Sequence, residues 1–398
     1  MSRLSRFAIY VVCSMTFALH AGLWALDASA ASKDEALRVY DEGLRELSRR
    51  NGEKAFLAFQ RAVAIDPSLA DAHYRLGLLY GAKSQWKQAI ASLQGAIDAN
   101  TNHADAYCQL GEAYLIGTAK AQMAIPVLQQ SISIRPDHAR ARRLLGIAYQ
   151  HENRLEEARG EFQKAIELDS DDAEARYRLG LFFFAQSDWE AAARHFEAVI
   201  KREPLHTKAY FNLGQCYLRT RRVAEGRKAL RTFEQLNQEL EKIDVLQSVI
   251  QRAPKNVEAW YQLGQIFTRR QAWDEAETAF NMCVSHASKD ERGYEALAYL
   301  YLQQKKYENA LEVYGTLVEH RPEVPEYRNS LGIVYVTLGK FSAAIEQFKA
   351  AIRLSPDEPS FHLNLSKAYQ RVGDTARAEA VLQVYQQLST AKGQDKRD

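Results

Sequence analysis

Cysteine and proline are scarce in this chain of 398 residues, which contains 4 cysteines and 9 prolines. No two cysteines form a CxxC motif, so the sequence offers neither a redox dithiol nor a cysteine zinc site. Cys108, Cys216 and Cys283 each fall within a predicted helix, where we expect buried, unpaired thiols. The few prolines and glycines, and the lack of alternating Val/Ile/Thr-rich segments, exclude an extensive sheet.

Neither sign of charge dominates, because 52 Lys and Arg stand against 50 Asp and Glu, for a formal net charge of +2. This balance gives no argument for nucleic acid as a partner. HExxH, GxSxG and phosphate-binding glycine motifs are absent, and residues 169–172 lack the Gly and Glu of a calcium loop. We therefore predict no catalytic residue, no metal site, no cofactor and no enzymatic activity.

The first 30 residues have the form of an export signal. Arg3 and Arg6 precede an apolar run over residues 7–26, and Ala28 to Ala30 then form an A-x-A cleavage site. Cleavage would leave the protein periplasmic or secreted. Alternatively, the run could span a bilayer uncut and tether the protein to the inner membrane, with the remainder outside the cytoplasm.

Apolar residues at helical spacing recur every 34 residues through the rest of the chain. In the unit 257–290, the apolar faces of two successive helices carry Trp260, Leu263, Gly264 and Phe267, then Ala276, Phe280 and Cys283. Each unit is thus a helical hairpin that cannot bury its apolar seam alone. The unit resembles the tetratricopeptide repeat (TPR). This resemblance implies an all-α protein, a right-handed superhelical α-solenoid of tandem TPR hairpins.

The pattern predicts ten repeats, of which the third carries one extra residue. The spacing from Gly214 to Gly264 is 50 residues instead of 34, so sixteen residues are inserted in the second half of the sixth repeat. We predict an N-terminal arm over 31–236 (repeats 1–6), an inserted helical extension over 237–256, a C-terminal arm over 257–388 (repeats 7–10) and a polar disordered tail over 389–398. The insertion is predicted to be one long helix, with a break near Asn237 as the alternative.

In the TPR family the first helices line a concave groove, and the resemblance implies that partners bind there. In repeats 4 to 6 this face combines basic and aromatic residues, which favours an acidic or C-terminal peptide segment. The candidate groove residues are Tyr74, Arg140, Arg143, Tyr177, Arg178, Lys208, Phe211, Arg219 and Tyr261. The alternatives are an anionic glycan, held by an accessory of polysaccharide secretion or modification, and an ordinary solvated face.

The inserted helix carries apolar residues at every third or fourth position. We expect this stripe to be exposed and to contact a partner or a second copy of the chain through Leu236, Leu240, Ile243 and Gln247. The sequence as a whole predicts a non-catalytic protein-protein interaction scaffold outside the cytoplasm, which assists assembly of a bacterial envelope or secretion complex.

Overall fold

The computed structural model describes residues 32–394, with side chains as far as residue 391. All regular secondary structure in this range is helical. The predicted signal peptide or anchor, residues 1–30, lies outside the described residues. Among the helices of residues 32–394, none combines the length and the apolar character that crossing a bilayer requires.

The helices form two compact units, with the boundary between Phe233 and Glu234. Successive helices pair as hairpins, so that odd-numbered helices are the first and even-numbered helices the second of each repeat. The first unit contains α1 (32–48), α2 (Gly52–Ile65), α3 (Ala70–Ala82), α4 (Trp86–Ala99), α5 (Ala104–Glu112), α6 (Ala121–Ile134), α7 (Ala139–His151), α8 (Leu155–Leu168), α9 (Ala173–Ala185), α10 (Trp189–Arg202), α11 (Thr207–Arg219) and the first turns of α12 (Val223–Arg252).

The second unit contains the remainder of α12 and the last four repeats. Its helices are α13 (Val257–Arg269), α14 (Trp273–His286), α15 (Glu291–Gln303), α16 (Tyr307–His320), α17 (Pro325–Thr337), α18 (Phe341–Leu354), α19 (Pro359–Arg371) and α20 (Thr375–Gln394). The predicted disordered tail is therefore wrong over residues 389–394, where α20 continues. No proline interrupts this segment, whereas Pro204 and Pro254 stand two residues after the ends of α10 and α12.

Glycine lies where the two helices of a hairpin cross. A Cβ added to Gly146 on α7 would lie 2.6 Å from Cε1 of Phe162 on α8, and one added to Gly264 would lie 2.5 Å from Cε1 of Phe280. Both phenylalanine rings are buried. A larger residue at either glycine would have to displace a core aromatic ring, which explains the recurrence of glycine despite its low helix propensity.

Each hairpin turn contains one residue with positive φ. These residues are Arg50, Ser84, Ala119, Asn153, Ser187, Arg221, Gln271, Lys305, Gly339 and Gly373. In the second repeat, Ser84 N–H donates to Gly81 O at 2.8 Å and Gln85 N–H donates to Tyr80 O at 2.9 Å. This pairing of amides with the last carbonyls is a Schellman cap, which ends the first helix and turns the chain toward the second.

The extra residue of the third repeat is absorbed by a π-helical turn, Ala113–Gly117, at the end of α5. Inserting one residue into a helix without breaking it produces this wider turn. The π-turn leaves the side chain of Ile116 largely exposed, and Gly117 packs against the Trp86 ring.

The insertion forms a single helix with the end of the sixth repeat, since α12 is 30 residues long and continuous through Asn237. The expected exposed stripe is wrong in two places, because Leu236 and Ile243 are 9% and 8% exposed. Ile243 packs in a cluster with Leu263 of α13. The last turns of α12 thus take the place of an ordinary second helix against α13. Leu240 and Gln247 are exposed.

Candidate functional site

The candidate arginines of the first unit are paired with acidic side chains. Three hydrogen bonds carry this pairing: Arg140 Nη2 to Glu112 Oε2 at 2.5 Å, Arg143 Nη1 to Asp172 Oδ1 at 2.9 Å and Arg178 Nε to Glu174 Oε1 at 2.6 Å. Lys208 has no charged partner among residues 32–394, and the Arg219 guanidinium lies 5.7 Å from the centre of the Trp189 ring. The expected basic surface is therefore largely neutralised by the protein itself.

The hydrogen bond from Arg143 to Asp172 stabilises the contact between two repeats. Asp172 is only 6% exposed, and its Oδ1 also accepts from the Ala175 N–H at 3.0 Å, so this carboxylate is the N-cap of α9. A buried carboxylate needs both a counter-charge and hydrogen bonds. Arg143 supplies the charge from the preceding repeat, so it fixes the joint between two repeats.

Two candidate tyrosines contact N-caps in the same way. The Tyr74 ring lies 4.8 Å from the ring of His103, and the Tyr177 ring lies 4.6 Å from that of His206. Nδ1 of each histidine accepts a backbone N–H at the start of the next first helix. Burial raises the pKa of both tyrosines. Tyr74, Arg143 and Tyr177 occupy equivalent repeat positions, so all three stabilise the contact between neighbouring repeats.

The two remaining aromatic candidates are more accessible. Phe211 is exposed on one side and packs on the Phe233 ring at 5.2 Å. In the second unit, Tyr261 lies 6.0 Å from the Phe280 ring, and the Arg292 guanidinium lies 5.2 Å from the centre of the Tyr261 ring. Tyr261 also lines a cavity large enough to hold part of a partner.

That cavity, the C-terminal cleft, has a volume of about 620 Å³ and lies between α13 and α15. It is lined by Tyr261, Gln265, Thr268, Arg269, Gln271, Trp273, Phe280, Glu295, Ala296, Tyr299 and Gln303. Tyr299 forms one wall and is 54% exposed. Gln265, Gln271 and Gln303 are exposed, and their side-chain amides have no hydrogen-bond partner among the described residues. The cleft thus offers aromatic rings next to free amide groups.

A smaller cavity, the N-terminal cleft, lies at the equivalent place in the first unit. It measures about 250 Å³ between α3, α5 and the first turns of α4, and Trp86, Glu112 and Ile116 are among its lining residues. The tryptophans of both clefts, Trp86 and Trp273, begin second helices and are half-buried.

The side chain five residues before each tryptophan decides whether a cleft is open. Gly81 precedes Trp86 and Thr268 precedes Trp273, and both cavities are open. Phe184 precedes Trp189, and these two rings meet edge to face at 5.0 Å. Arg219 covers the same tryptophan. A small residue at this position therefore leaves the tryptophan ring exposed as the floor of a cavity, whereas a phenylalanine packs on that ring and occupies the space.

The structure gives no support to a chemical role for the cysteines. Burial raises the pKa of Cys108 to about 12 and that of Cys283 to about 11, so both are thiols at neutral pH. All three cysteines within residues 32–394 are free and buried. No group of three potential metal ligands occurs in that part of the chain.

Comparison with protein families agrees with the repeat geometry. A family model described as tetratricopeptide repeat matches residues 177–238, 243–290, 295–359 and 330–392, which together exceed half of the chain. The chain belongs to the tetratricopeptide repeat family. Further TPR models match residues 48–84, 71–103 and 116–180.

Solved TPR structures are similar to parts of this TPR protein. YrrB, titled a TPR protein with an unusual peptide-binding site, is 25% identical, with 46% of this chain and 95% of YrrB covered and a TM-score of 0.39. MamA from Desulfovibrio magneticus RS-1 is 25% identical (44% and 97% covered, TM-score 0.39). Pseudomonas aeruginosa pilF is 20% identical (52% and 92% covered, TM-score 0.46). A search of curated proteins found no match.

Membership in the TPR family establishes the general class of function. The protein is a scaffold for protein-protein interaction, and TPR proteins are in general non-catalytic. Its partners are proteins or peptides.

Proposed function

We propose that this TPR protein is an exported adaptor that holds an extended segment of a partner protein in the C-terminal cleft and thereby assists assembly of a bacterial envelope or secretion complex. The observation that carries the binding mode is the combination of an aromatic floor and wall, Trp273 and Tyr299, with three unpartnered amides in one cavity. Aromatic rings supply contact area for apolar side chains, and glutamine amides can bond both donors and acceptors of a peptide backbone.

The charged groups of the C-terminal cleft are already paired. Arg269 Nε donates to Glu239 Oε1 at 3.3 Å, and Glu295 Oε1 accepts from the Tyr327 hydroxyl at 2.6 Å. A strongly acidic partner would find no free cation there. The cleft therefore favours a segment that is recognised through its backbone and its apolar side chains.

The alternative partner, an anionic glycan on the middle repeats, has weaker support. Binding of a polyanion requires cations that are free to pair with it. Arg140, Arg143 and Arg178 each already donate to a carboxylate. Displacing Asp172 from Arg143 would also leave a buried carboxylate without its counter-charge.

The binding mode is tested by closing the C-terminal cleft. Thr268→Phe places a phenylalanine five residues before Trp273, as Phe184 stands before Trp189. A photoreactive amino acid at Gln303, on the rim, is expected to crosslink a protein in the native host, and Thr268→Phe is expected to abolish the adduct.

Thr268→Ser is the matched control, because the hydroxyl that donates to Gly264 O at 2.8 Å is kept and the cleft stays open. Adducts that persist unchanged in the Thr268→Phe background, or no protein adduct from Gln303 at all, would contradict binding in this cleft.

The proposed location outside the cytoplasm rests on the sequence of residues 1–30. N-terminal sequencing of the protein from its host is expected to begin at Ala31 if the leader is cleaved. An intact leader in the membrane fraction, with the repeats accessible to protease from outside, is expected if residues 7–26 form an anchor. An uncut protein in the cytoplasmic fraction would rule out export.

A further inference from the structure

The second unit contains another cavity, which shares no residue with the C-terminal cleft. It measures about 480 Å³ and lies between the last turns of α12, the helix α13 and the first turns of α14. Its lining residues are Gln247, Ile250, Gln251, Trp260, Leu263, Phe267, Asp274, Glu275, Thr278 and Ala279. We call it the outer cavity. Its volume is within the range of ligand pockets.

Two repeats of the first unit carry additional groups around the ring at the equivalent place. Tyr149 accepts a hydrogen bond on its hydroxyl from Gln129 Nε2 at 3.1 Å, and the Arg154 guanidinium lies 4.3 Å from the centre of its ring. A tyrosine thus joins two repeats through its hydroxyl, and an arginine covers the tyrosine ring.

The sixth repeat has the same arrangement. The Tyr217 hydroxyl donates to Glu197 Oε1 at 2.7 Å, and the Arg222 guanidinium lies 4.1 Å from the centre of the Tyr217 ring. In both repeats the hydrogen-bond partner stands 20 residues before the tyrosine and the arginine stands 5 residues after it.

The seventh repeat has residues at the same three positions, but it lacks the tyrosine hydroxyl and the arginine. Gln247 stands 20 residues before Phe267, and Ala272 stands 5 residues after it. Phe267 has no hydroxyl for the Gln247 amide, and Ala272 has no guanidinium to cover the ring. The side-chain amide of Gln247 has no hydrogen-bond partner among the described residues. The outer cavity therefore lacks two of the groups that surround the equivalent ring in repeats 4 and 6.

The rim of the outer cavity is acidic. Asp274 and Glu275 are exposed and form no ion pair with any described residue, and the lining contains no Lys or Arg. Asp244 is exposed on α12 one helical turn before Gln247 and also has no ion pair. Carboxylates on both sides of an apolar floor attract a cation and leave the apolar surface for a neighbouring group.

We propose that the outer cavity binds a partner protein through an apolar side chain that is flanked by Lys or Arg. The apolar side chain packs on Trp260, Leu263 and Phe267, and the flanking cations pair with Asp274 and Glu275. The amide of Gln247 is free to bond the partner's backbone. The second unit then has two binding surfaces of different charge preference, and the outer cavity acts independently of the C-terminal cleft.

The test uses two synthetic peptides and the full chain. The first is acetyl-Ser-Arg-Leu-Phe-Arg-Ser-amide with a fluorescent label, and the second has Glu in place of both Arg. The Arg peptide is expected to bind in fluorescence anisotropy titrations, with a Kd that rises with salt, and the Glu peptide is expected to bind at least tenfold more weakly.

The deciding variant is Phe267→Tyr with Ala272→Arg, which introduces the tyrosine and the arginine found at these positions in repeats 4 and 6. It is expected to weaken binding of the Arg peptide at least tenfold while the thermal unfolding midpoint is unchanged or higher. Asp274→Asn with Glu275→Gln is expected to weaken it to a similar extent. Tyr299→Ala, in the C-terminal cleft, is the matched control and is expected to leave the Kd unchanged.

Three results would overturn the proposal. They are equal binding of the Arg and Glu peptides, an unchanged Kd in the folded Phe267→Tyr/Ala272→Arg variant, and no binding of the Arg peptide at millimolar concentration. Because Tyr299→Ala affects only the C-terminal cleft, failure of this proposal and failure of the adaptor proposal are distinguishable.

Discussion

The close contact between Gly146 and Phe162 allows a stability prediction with an internal control. An added Cβ at Gly146 would lie 2.6 Å from Phe162 Cε1 and 2.8 Å from Cδ1, whereas Gly160 on the next helix has no atom within 4 Å of an added Cβ. Phe162 is 1% exposed within a core cluster, so its ring has little room to move. Gly146→Ala and Gly160→Ala are the same chemical change in opposite surroundings.

The expected effects have opposite signs. Replacing Gly with Ala in a helix interior stabilises by about 1 kcal/mol, and this is the whole effect expected for Gly160→Ala. Overpacking a core costs about 1–3 kcal/mol, so Gly146→Ala should destabilise the folded state by up to about 2 kcal/mol after the propensity gain. Phe162→Ala alone should cost about 3–5 kcal/mol, and less in the Gly146→Ala background because the clash is gone.

Urea unfolding followed by circular dichroism measures the overall effect. Repeats can unfold separately, so hydrogen exchange of the α7 and α8 amides is needed to locate it. Faster exchange in α7 and α8 is expected for Gly146→Ala and slower exchange for Gly160→Ala. Equal changes for the two variants, or additive effects of Gly146→Ala and Phe162→Ala, would refute the reasoning from the contact.

Three further predictions concern other parts of the chain. Ala119 has φ of 52°, so Ala119→Gly should increase the free energy of unfolding by about 0.5–1 kcal/mol and raise the urea midpoint. Gly339→Ala, at φ of 71°, should decrease the free energy of unfolding by a similar amount and lower the midpoint. Burial lowers the pKa of His195 to about 4; since an unfolded histidine titrates near about 6.5, the stability contribution of His195 is complete above that pH and is lost as pH falls toward 4. A urea midpoint that does not fall over this window, or that falls equally in His195→Gln, would contradict this, and His151→Gln at an exposed site is the control. Cys108 and Cys216, whose pKa values burial raises to about 12 and about 11, should react with Ellman's reagent only after unfolding, and fast reaction of the folded protein would disagree with the packing.

The helical pairs could be predicted from the sequence because burial recurs with the repeat. The spacing of residues such as Gly264 and Phe280 determines which side of each helix is covered. The long helix α12 was also predictable, since neither Gly nor Pro interrupts residues 227–253. The burial of Ile243 was not, because it depends on the last turns of α12 packing on α13 in place of a regular second helix.

The candidate site was harder to predict because neighbouring repeats neutralise each other's charges. Arg140 pairs with a glutamate 28 residues earlier, and Arg143 with an aspartate 29 residues later. Both spacings are close to one repeat, so a comparison of facing positions in consecutive repeats would have found the partners. A count of basic residues on one face overestimates the charge that a partner meets.

The open cavities depend on side-chain size at single positions, which a repeat pattern does not specify. Thr268 lines the C-terminal cleft where repeat 5 has Phe184, and Phe267 lines the outer cavity where repeat 6 has Tyr217. Residues that join repeats must recur, because every joint has the same geometry. Residues that bind a partner need not recur, since a partner is met at one place. In an array of ten aligned hairpins, a departure from the array's own pattern that opens a cavity therefore indicates binding more specifically than any feature the repeats share.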